Sequence, residues 1–199
     1  MSQRPALGCL FEIVETLVLT LLIFVVIQNF IAQPYKVQMN SMERTLEPDQ
    51  YVLVDKLTPR FDPYNRGDIV VFDPPADWGD GGTPFIKRVI GEPGDTIDIR
   101  DDGLVYVDDV ALDEPYLYAD EIGGEPQPTT ANLEQATWTV PEGELFLMGD
   151  HRQSSSDSRT FGAVPIDRVI GRAWLRYWPL GTLGILPTPT YPDVGSAAQ

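Results

Sequence analysis

Apolar residues fall into two regimes along the chain. From Thr16 to Ile27 they run almost without a break (TLVLTLLIFVVI), and the stretch continues through Gln28 and Asn29 to Ala32. Counted from Leu10 to Ala32 it is 23 residues, or ~34 Å at ~1.5 Å per helical residue, enough to cross ~30 Å of hydrocarbon. Glu12 and Glu15 fall in its first turns, where they reach the interface and suit a helix N-terminus. Beyond it the pattern changes to short β-rich runs: Tyr51–Lys56, Asp68–Phe72, Phe85–Ile90, Thr96–Arg100, Leu104–Val107, Thr137–Val140, Glu144–Met148 and Arg168–Trp178. Pro, Gly and Asp clusters separate them, and no long stretch carries a 3.6-residue apolar period. The clearest local feature is a hairpin, TIDIR, then Asp101-Asp102-Gly103, then LVYV, followed by a second Asp-Asp turn at Asp108–Asp109. The pattern predicts a mainly β protein with an N-terminal tail (1–9), a transmembrane anchor (10–32), a β domain (33–178) and an irregular C-terminal tail (179–199). Asp73–Thr83 and Ala119–Ala136 read as loops, and residues 101–143 as a hairpin with an acidic loop insertion.

The apolar span admits three readings: an uncleaved anchor, a cleaved secretory signal with Arg4 as its basic end, or a buried helix of a soluble protein. The anchor is preferred, because a cut after Ala32 would set bulky Phe30 at the minus-three position. The α-amine and Arg4 precede the span and Lys36 and Arg44 follow it, so the positive-inside count is a tie and leaves orientation open.

Charge narrows the partners. The 199 residues carry 30 acidic and 14 basic side chains, a net −16, which lies mostly after Lys36 and disfavours nucleic acid. One cysteine, Cys9, excludes an internal disulfide and a thiolate metal cluster, and one histidine, His151, removes poly-His zinc sites. Phosphate-binding glycine loops and the G-x-S-x-G elbow are missing from the sequence.

A hydrolytic base must therefore come from a short roster of His151, Lys36, Lys56 and Lys87. Strand alternation in FIKRVI sets Phe85, Lys87 and Val89 on one face and Ile86, Arg88 and Ile90 on the other. Among apolar neighbours the Lys87 ammonium is desolvated and its pKa falls, which lets an amine act as a base near neutrality. At a strand edge its head would instead lie in water. Asn40-Ser41-Met42 follows the span by a few residues and reads alone as an ordinary loop. GDHRQSSSDSR (Gly149–Arg159) is a dense polar loop after the apolar run ELFLM, either a rigidly presented site or a solvated turn.

Taken in order, SMERTL, GDIVVF (Gly67–Phe72), KRVIGEPGD (Lys87–Asp95) and GDHRQSSSDSRTFG (Gly149–Gly162) resemble the bacterial type I signal peptidases, from the anchor to about Trp178. The resemblance implies a largely antiparallel β catalytic domain of the signal-peptidase type, with no metal and no organic cofactor. It implies a Ser/Lys dyad, Ser41 as nucleophile and Lys87 as general base. Ser155 matches a serine that orients the lysine, and Asp157 and Arg159 match a charged pair supporting the loop. Substrate pockets for small apolar side chains would involve Val37, Met42, Leu46, Phe85 and Ile86. The implied partners are signal peptides of translocated preproteins, the lipid bilayer and a secretion translocon, but no nucleic acid. The implied location is the bacterial cytoplasmic membrane, single-pass, with the catalytic domain on the extracytoplasmic side.

Departures cluster around Ser41. Asn40 stands where the family commonly has Gly, Asp or Pro, and Asn tolerates the left-handed conformation a glycine would take. Arg44 replaces a proline, which loses a fixed φ and is expected to loosen the loop. Met39 stands where some members supply an oxyanion hydroxyl, leaving the Ser41 backbone N–H as donor. His151 replaces an Asn and offers a rival base for Ser41. Trp174 and Trp178 read as core aromatics or as a membrane-facing surface. A non-catalytic anchored β domain is the alternative from another class, and a related self-cleaving Ser/Lys repressor is opposed by the anchor and the acidic charge.

Overall fold

The computed structural model describes residues 4–75, 78, 82–120, 123–132 and 135–195. The remaining parts of the two expected loops and of both termini lie outside the described residues. Helix α1 (Arg4–Val26) continues as one π-helical turn, Ile27–Ile31, and the chain enters strand β1 (Ala32–Lys36) with no linker. Helical geometry thus begins inside the segment expected as a tail and stops one residue short of Ala32. The stretch Gly8–Ile31 is 24 residues long, its most apolar 18-residue window has mean hydropathy 2.6, and no residue of that window is buried in the protein. A continuous apolar surface of this kind has no core to face, which removes the reading of a buried soluble helix.

The rest is two antiparallel sheets. The larger uses β1, β2 (Tyr51–Asp55), β3 (Ile69–Phe72), β4 (Phe85–Gly91), β9 (Glu144–Met148), β10 (Val164–Pro165), β11 (Val169–Trp178) and β12 (Gly184–Ile185). Its order is β1-β2-β11-β3-β4-β9-β10, with β12 beside β11. The smaller sheet, β7-β6-β5-β8, uses β5 (Thr96–Ile99), β6 (Val105–Val107), β7 (Val110–Ala111) and β8 (Thr137–Thr139). Every run picked out by its alternation is a strand. The predicted hairpin pairs Ile97 with Val107. The second turn joins Val107 to Val110 through Asp108 and Asp109, both at positive φ, the geometry of a tight type I′ turn. Strand β1 hid behind the apolar span and Pro34; it is an edge strand, where a residue without an N–H is tolerated.

Apolar side chains cover both faces of the large sheet. Val37, Met42, Leu46, Val52, Val54 and Ile69 form one cluster; Val70, Phe72, Trp78, Val89 and Leu147 form a second. A third joins the small sheet to Ile90, Phe146 and Met148. Strand β4 is therefore buried on both sides from Lys87 to Gly91. The segment after Pro179 is irregular for most of its length but docked: Arg88 Nη1 donates to the Pro187 carbonyl at 3.2 Å, Tyr191 and Tyr116 hydroxyls meet at 3.1 Å, and Val194 is buried.

Candidate active site

Two polar positions on this framework converge. Ser41 sits in a single 3-10 turn, Asn40–Met42, whose Met42 is anchored in the core beneath. Lys87 projects from β4 and is 2 % exposed. Its Nζ lies 2.6 Å from Ser41 Oγ, although the residues are 46 positions apart in sequence. Among the described residues no carboxylate ion-pairs with Lys87. The Phe85 ring centroid lies 5.4 Å from Nζ, as alternation predicts for residues on one strand face. Burial disfavours the ammonium and pushes the Lys87 pKa down to about 8, against the more distant charges of Asp157 and Asp150, which favour it. The picture of a strand-edge lysine with its head in water is thereby overturned.

The polar loop after β9 fixes this geometry. Gly149 carries no side chain because a Cβ there would sit 2.5 Å from the Ser41 carbonyl oxygen and closer still to Ser155 Oγ. His151 N–H donates to that same Ser41 carbonyl at 3.0 Å. Asp157 caps the short helix α2 (Ser158–Phe161) and accepts from the Arg159 backbone and guanidinium, from Gly149 N–H at 3.0 Å and from Ser155 Oγ at 2.7 Å. Burial pushes its carboxyl up, but Arg159 and these donors outweigh that and hold it below the usual range. Asp157 and Arg159 thus support the loop by direct contact. Ser155 differs from expectation: its hydroxyl donates to Asp157, and no hydrogen bond joins it to Lys87.

Two buried ion pairs on the same strand and loop were not foreseen from sequence. Arg88, next to Lys87 on β4, donates from Nε at 2.9 Å and Nη2 at 2.7 Å to the Asp150 carboxylate, which also accepts from Thr45 Oγ1 at 2.6 Å. Arg152 pairs with Glu114 and donates to Thr129 Oγ1 at 2.5 Å. The faint signal was placement: Arg88 lies inside the largely apolar run of β4, and Asp150 comes two residues after the apolar run ELFLM.

The region before and after Ser41 departs from expectation. Asn40 does not take a left-handed backbone; Arg44 does, at φ 79°. Proline is locked near φ −65°, so it cannot adopt this turn. Arg44 also ties the turn down, with Nη1 donating to the Leu117 carbonyl at 2.5 Å. His151 faces away from the hydroxyl: its Nδ1 lies 2.7 Å from Glu43 Oε2 and its ring stacks on Tyr118 at 3.9 Å. Its role as a rival base for Ser41 is therefore overturned.

A cleft opens beside Ser41 and Lys87, lined by Val37, Gln38, Met39, Val52, Val71, Phe85 and Ile86 among others. Of the residues named for substrate contact, Val37, Phe85 and Ile86 line it. Met42 and Leu46 do not; both are fully buried in the core cluster of the large sheet. A second opening, which shares Met39, Ser41, Phe85 and Lys87 with the first, reaches Trp78, Ser154 and Ser156. Trp174 and Trp178 are not core residues, being 40 % and 50 % exposed.

A hydroxyl held against a desolvated amine, at the base of an apolar cleft on an antiparallel β scaffold, is the arrangement of a serine-type hydrolase. Comparison with known proteins gives the particular family. The model of the signal peptidase family, peptidase S26, matches residues 10–178. A probable signal peptidase I-1 of Synechocystis is 35% identical over 90% of this chain and 88% of its own length. A signal peptidase I of Bacillus licheniformis is 34% identical over 87% of this chain and 91% of its own. A solved signal peptidase I from Enterococcus faecalis is 34% identical, covering 56% of this chain and 97% of that one with a TM-score of 0.41. The chain belongs to the signal peptidase family, peptidase S26.

Proposed function

We propose that this chain is a membrane-anchored signal peptidase I that hydrolyses the bond joining signal peptides to exported preproteins, with Ser41 as nucleophile and Lys87 as general base. The observation that carries this reading is the 2.6 Å approach of Lys87 Nζ to Ser41 Oγ in a buried site. With its pKa near 8 the amine is substantially neutral at mildly alkaline pH. Neutral Lys87 takes the hydroxyl proton as Ser41 Oγ attacks the scissile carbonyl carbon, then returns a proton to the departing amine. In the second half a water, deprotonated by the same amine, attacks the acyl carbon and frees Ser41 Oγ.

The developing oxyanion needs a fixed donor. Ser41 lies in the first turn of its 3-10 helix, where backbone N–H groups have no intrahelical acceptor, so its N–H is free to serve. Small β-branched walls, Val37, Val52, Val71 and Ile86, suit short apolar side chains such as alanine and leave no partner for a charged one.

The apolar helix supports anchoring, and Trp174 and Trp178, exposed with Leu180, Leu183 and Ile185 on the β11–β12 hairpin, support a membrane-facing domain surface. On this reading the enzyme sits in the bacterial cytoplasmic membrane with its β domain outside, where translocated preproteins emerge, with a secretion translocon nearby. Confinement to one interface raises the effective concentration of enzyme and substrate. The test is preprotein processing by Ser41→Ala and, separately, Lys87→Met in reconstituted membranes. Loss of processing with folding intact is expected; full activity in either variant removes the dyad.

A further inference from the structure

The junction between helix and domain holds a feature that catalysis does not use. Lys56 N–H, at the end of β2, donates to the Ile31 carbonyl at 2.9 Å, and Lys56 Nζ lies 3.2 Å from Gln33 Oε1. Ile31 closes the 24-residue apolar stretch. At ~1.5 Å per residue such a stretch more than spans ~30 Å of hydrocarbon, so Ile31 falls at its boundary with the headgroups. The residue after Lys56 begins at that depth.

From there the chain runs Leu57-Thr58-Pro59-Arg60-Phe61 around one 3-10 turn, Thr58–Arg60. The turn is rigid: Asp55 Oδ1 accepts the Leu57 and Thr58 N–H groups at 2.8 and 3.1 Å, and Phe61 N–H donates to the Thr58 carbonyl at 2.9 Å. Leu57 and Phe61 point away from the core, and Phe61, at 82 % exposure, is the most exposed large apolar side chain among the described residues. Lys56 and Arg60 flank them, and among the described residues neither ion-pairs with a carboxylate. The nearby acids are engaged, Asp55 on the turn and Asp62 with Arg172 at 3.0 Å. In a chain of net −16 this is a local apolar wedge with a basic rim, which suits the layer where acyl chains meet lipid phosphates.

We propose that the Leu57–Phe61 turn is a second membrane contact, inserted into the interfacial layer beside the anchor, fixing the tilt of the β domain on the bilayer. It rests on the anchored reading above. Cys9 is the sole cysteine of the chain, which makes the test direct. In full-length Cys9→Ser protein, Phe61→Cys is labelled with a polarity-sensitive fluorophore and reconstituted into phosphatidylglycerol/phosphatidylcholine vesicles. Asp101→Cys, on the hairpin of the small sheet, is the aqueous control, and Val18→Cys, in the middle of the apolar stretch, reports on the anchor. The expected result is a blue-shifted label at position 61, quenched by lipids spin-labelled near the headgroup and shielded from aqueous iodide, unlike position 101. A position-61 label that matches position 101 while the position-18 label is lipid-quenched overturns the turn as a contact and leaves the anchor standing. Aqueous behaviour at both 18 and 61 overturns the anchor, and this contact with it.

Discussion

Lys87 and Arg88 are neighbours on β4, both stripped of water at 2 % and 0 % exposure, yet they finish in opposite electrostatic states. Arg88 meets the Asp150 carboxylate through two nitrogens, and its stacking on Tyr116, with the guanidinium 3.9 Å from the ring centroid, fills the remaining space. Burial disfavours its charge, but Asp150 outweighs burial and the pKa ends above its ordinary value. Lys87 meets a hydroxyl in place of a carboxylate, and burial wins. Desolvation alone does not make a base; desolvation without a contacting counter-charge does. Side-chain alternation delivers the two outcomes to opposite faces of one strand, a carboxylate-paired guanidinium on one and an amine facing a hydroxyl on the other.

The largest effect that can break this contrast is chemical. Ser41→Ala and Lys87→Met are each expected to cut kcat by roughly 10⁴-fold or more, because nucleophile and base act as one unit. Single-turnover cleavage of a preprotein in detergent or vesicles reads this out. A loss confined to KM would show that the amine only helps to bind substrate.

Stability sharpens the comparison next. Asp150→Ala leaves the buried Arg88 charge unpaired and is expected to cost about 3–5 kcal/mol in denaturant unfolding. Lys87→Met, which removes a desolvated amine, is expected to cost nothing or to stabilise. Equal losses in the two variants would erase the distinction.

A third effect follows from the Lys87 pKa, about 8 in the folded chain against the ordinary lysine value of 10.5. Between these pH values the unfolded chain binds more protons, so stability rises with pH across that window, by about 3 kcal/mol in total. Below pH 8 the folded state carries the full penalty of a buried ammonium. The difference in unfolding free energy between the wild type and Lys87→Met, measured from pH 7 to 11, isolates this from other titrating groups. A flat difference would mean that Lys87 is not perturbed.

The smallest effect concerns the histidine. His151→Asn removes the bond to Glu43 and the stack on Tyr118 but no reacting atom, so activity is expected to fall only a few-fold, about 1 kcal/mol for one hydrogen bond. A loss comparable to that of Lys87→Met would restore histidine as the base.

Alternation of apolar and polar residues made the strands legible, and with them the face of β4 that carries Lys87. What alternation cannot tell is whether that face is covered. The cover comes from the Ser41 turn and the loop after β9, both far away in sequence. The same blindness hid the Arg88–Asp150 and Arg152–Glu114 pairs, whose partners are 62 and 38 residues apart. Strand β1 was lost because the apolar span runs straight into it, and β12 because its two residues are strands only through pairing with β11. Ser155 was read by position as a lysine-orienting group, whereas the stronger acceptor beside it, the Asp157 carboxylate, takes its proton donor.

The central claim is tested most directly by titrating the lysines themselves. The chain has only Lys36, Lys56 and Lys87, so lysine labelled at Cε and Nζ gives a three-signal NMR spectrum that can be followed against pH in the reconstituted protein. One signal is predicted to titrate near pH 8 and to be missing from the Lys87→Met variant. A Lys87 signal that titrates at the ordinary lysine value of ~10.4 would contradict the account, because a fully charged amine at working pH cannot take the proton from Ser41.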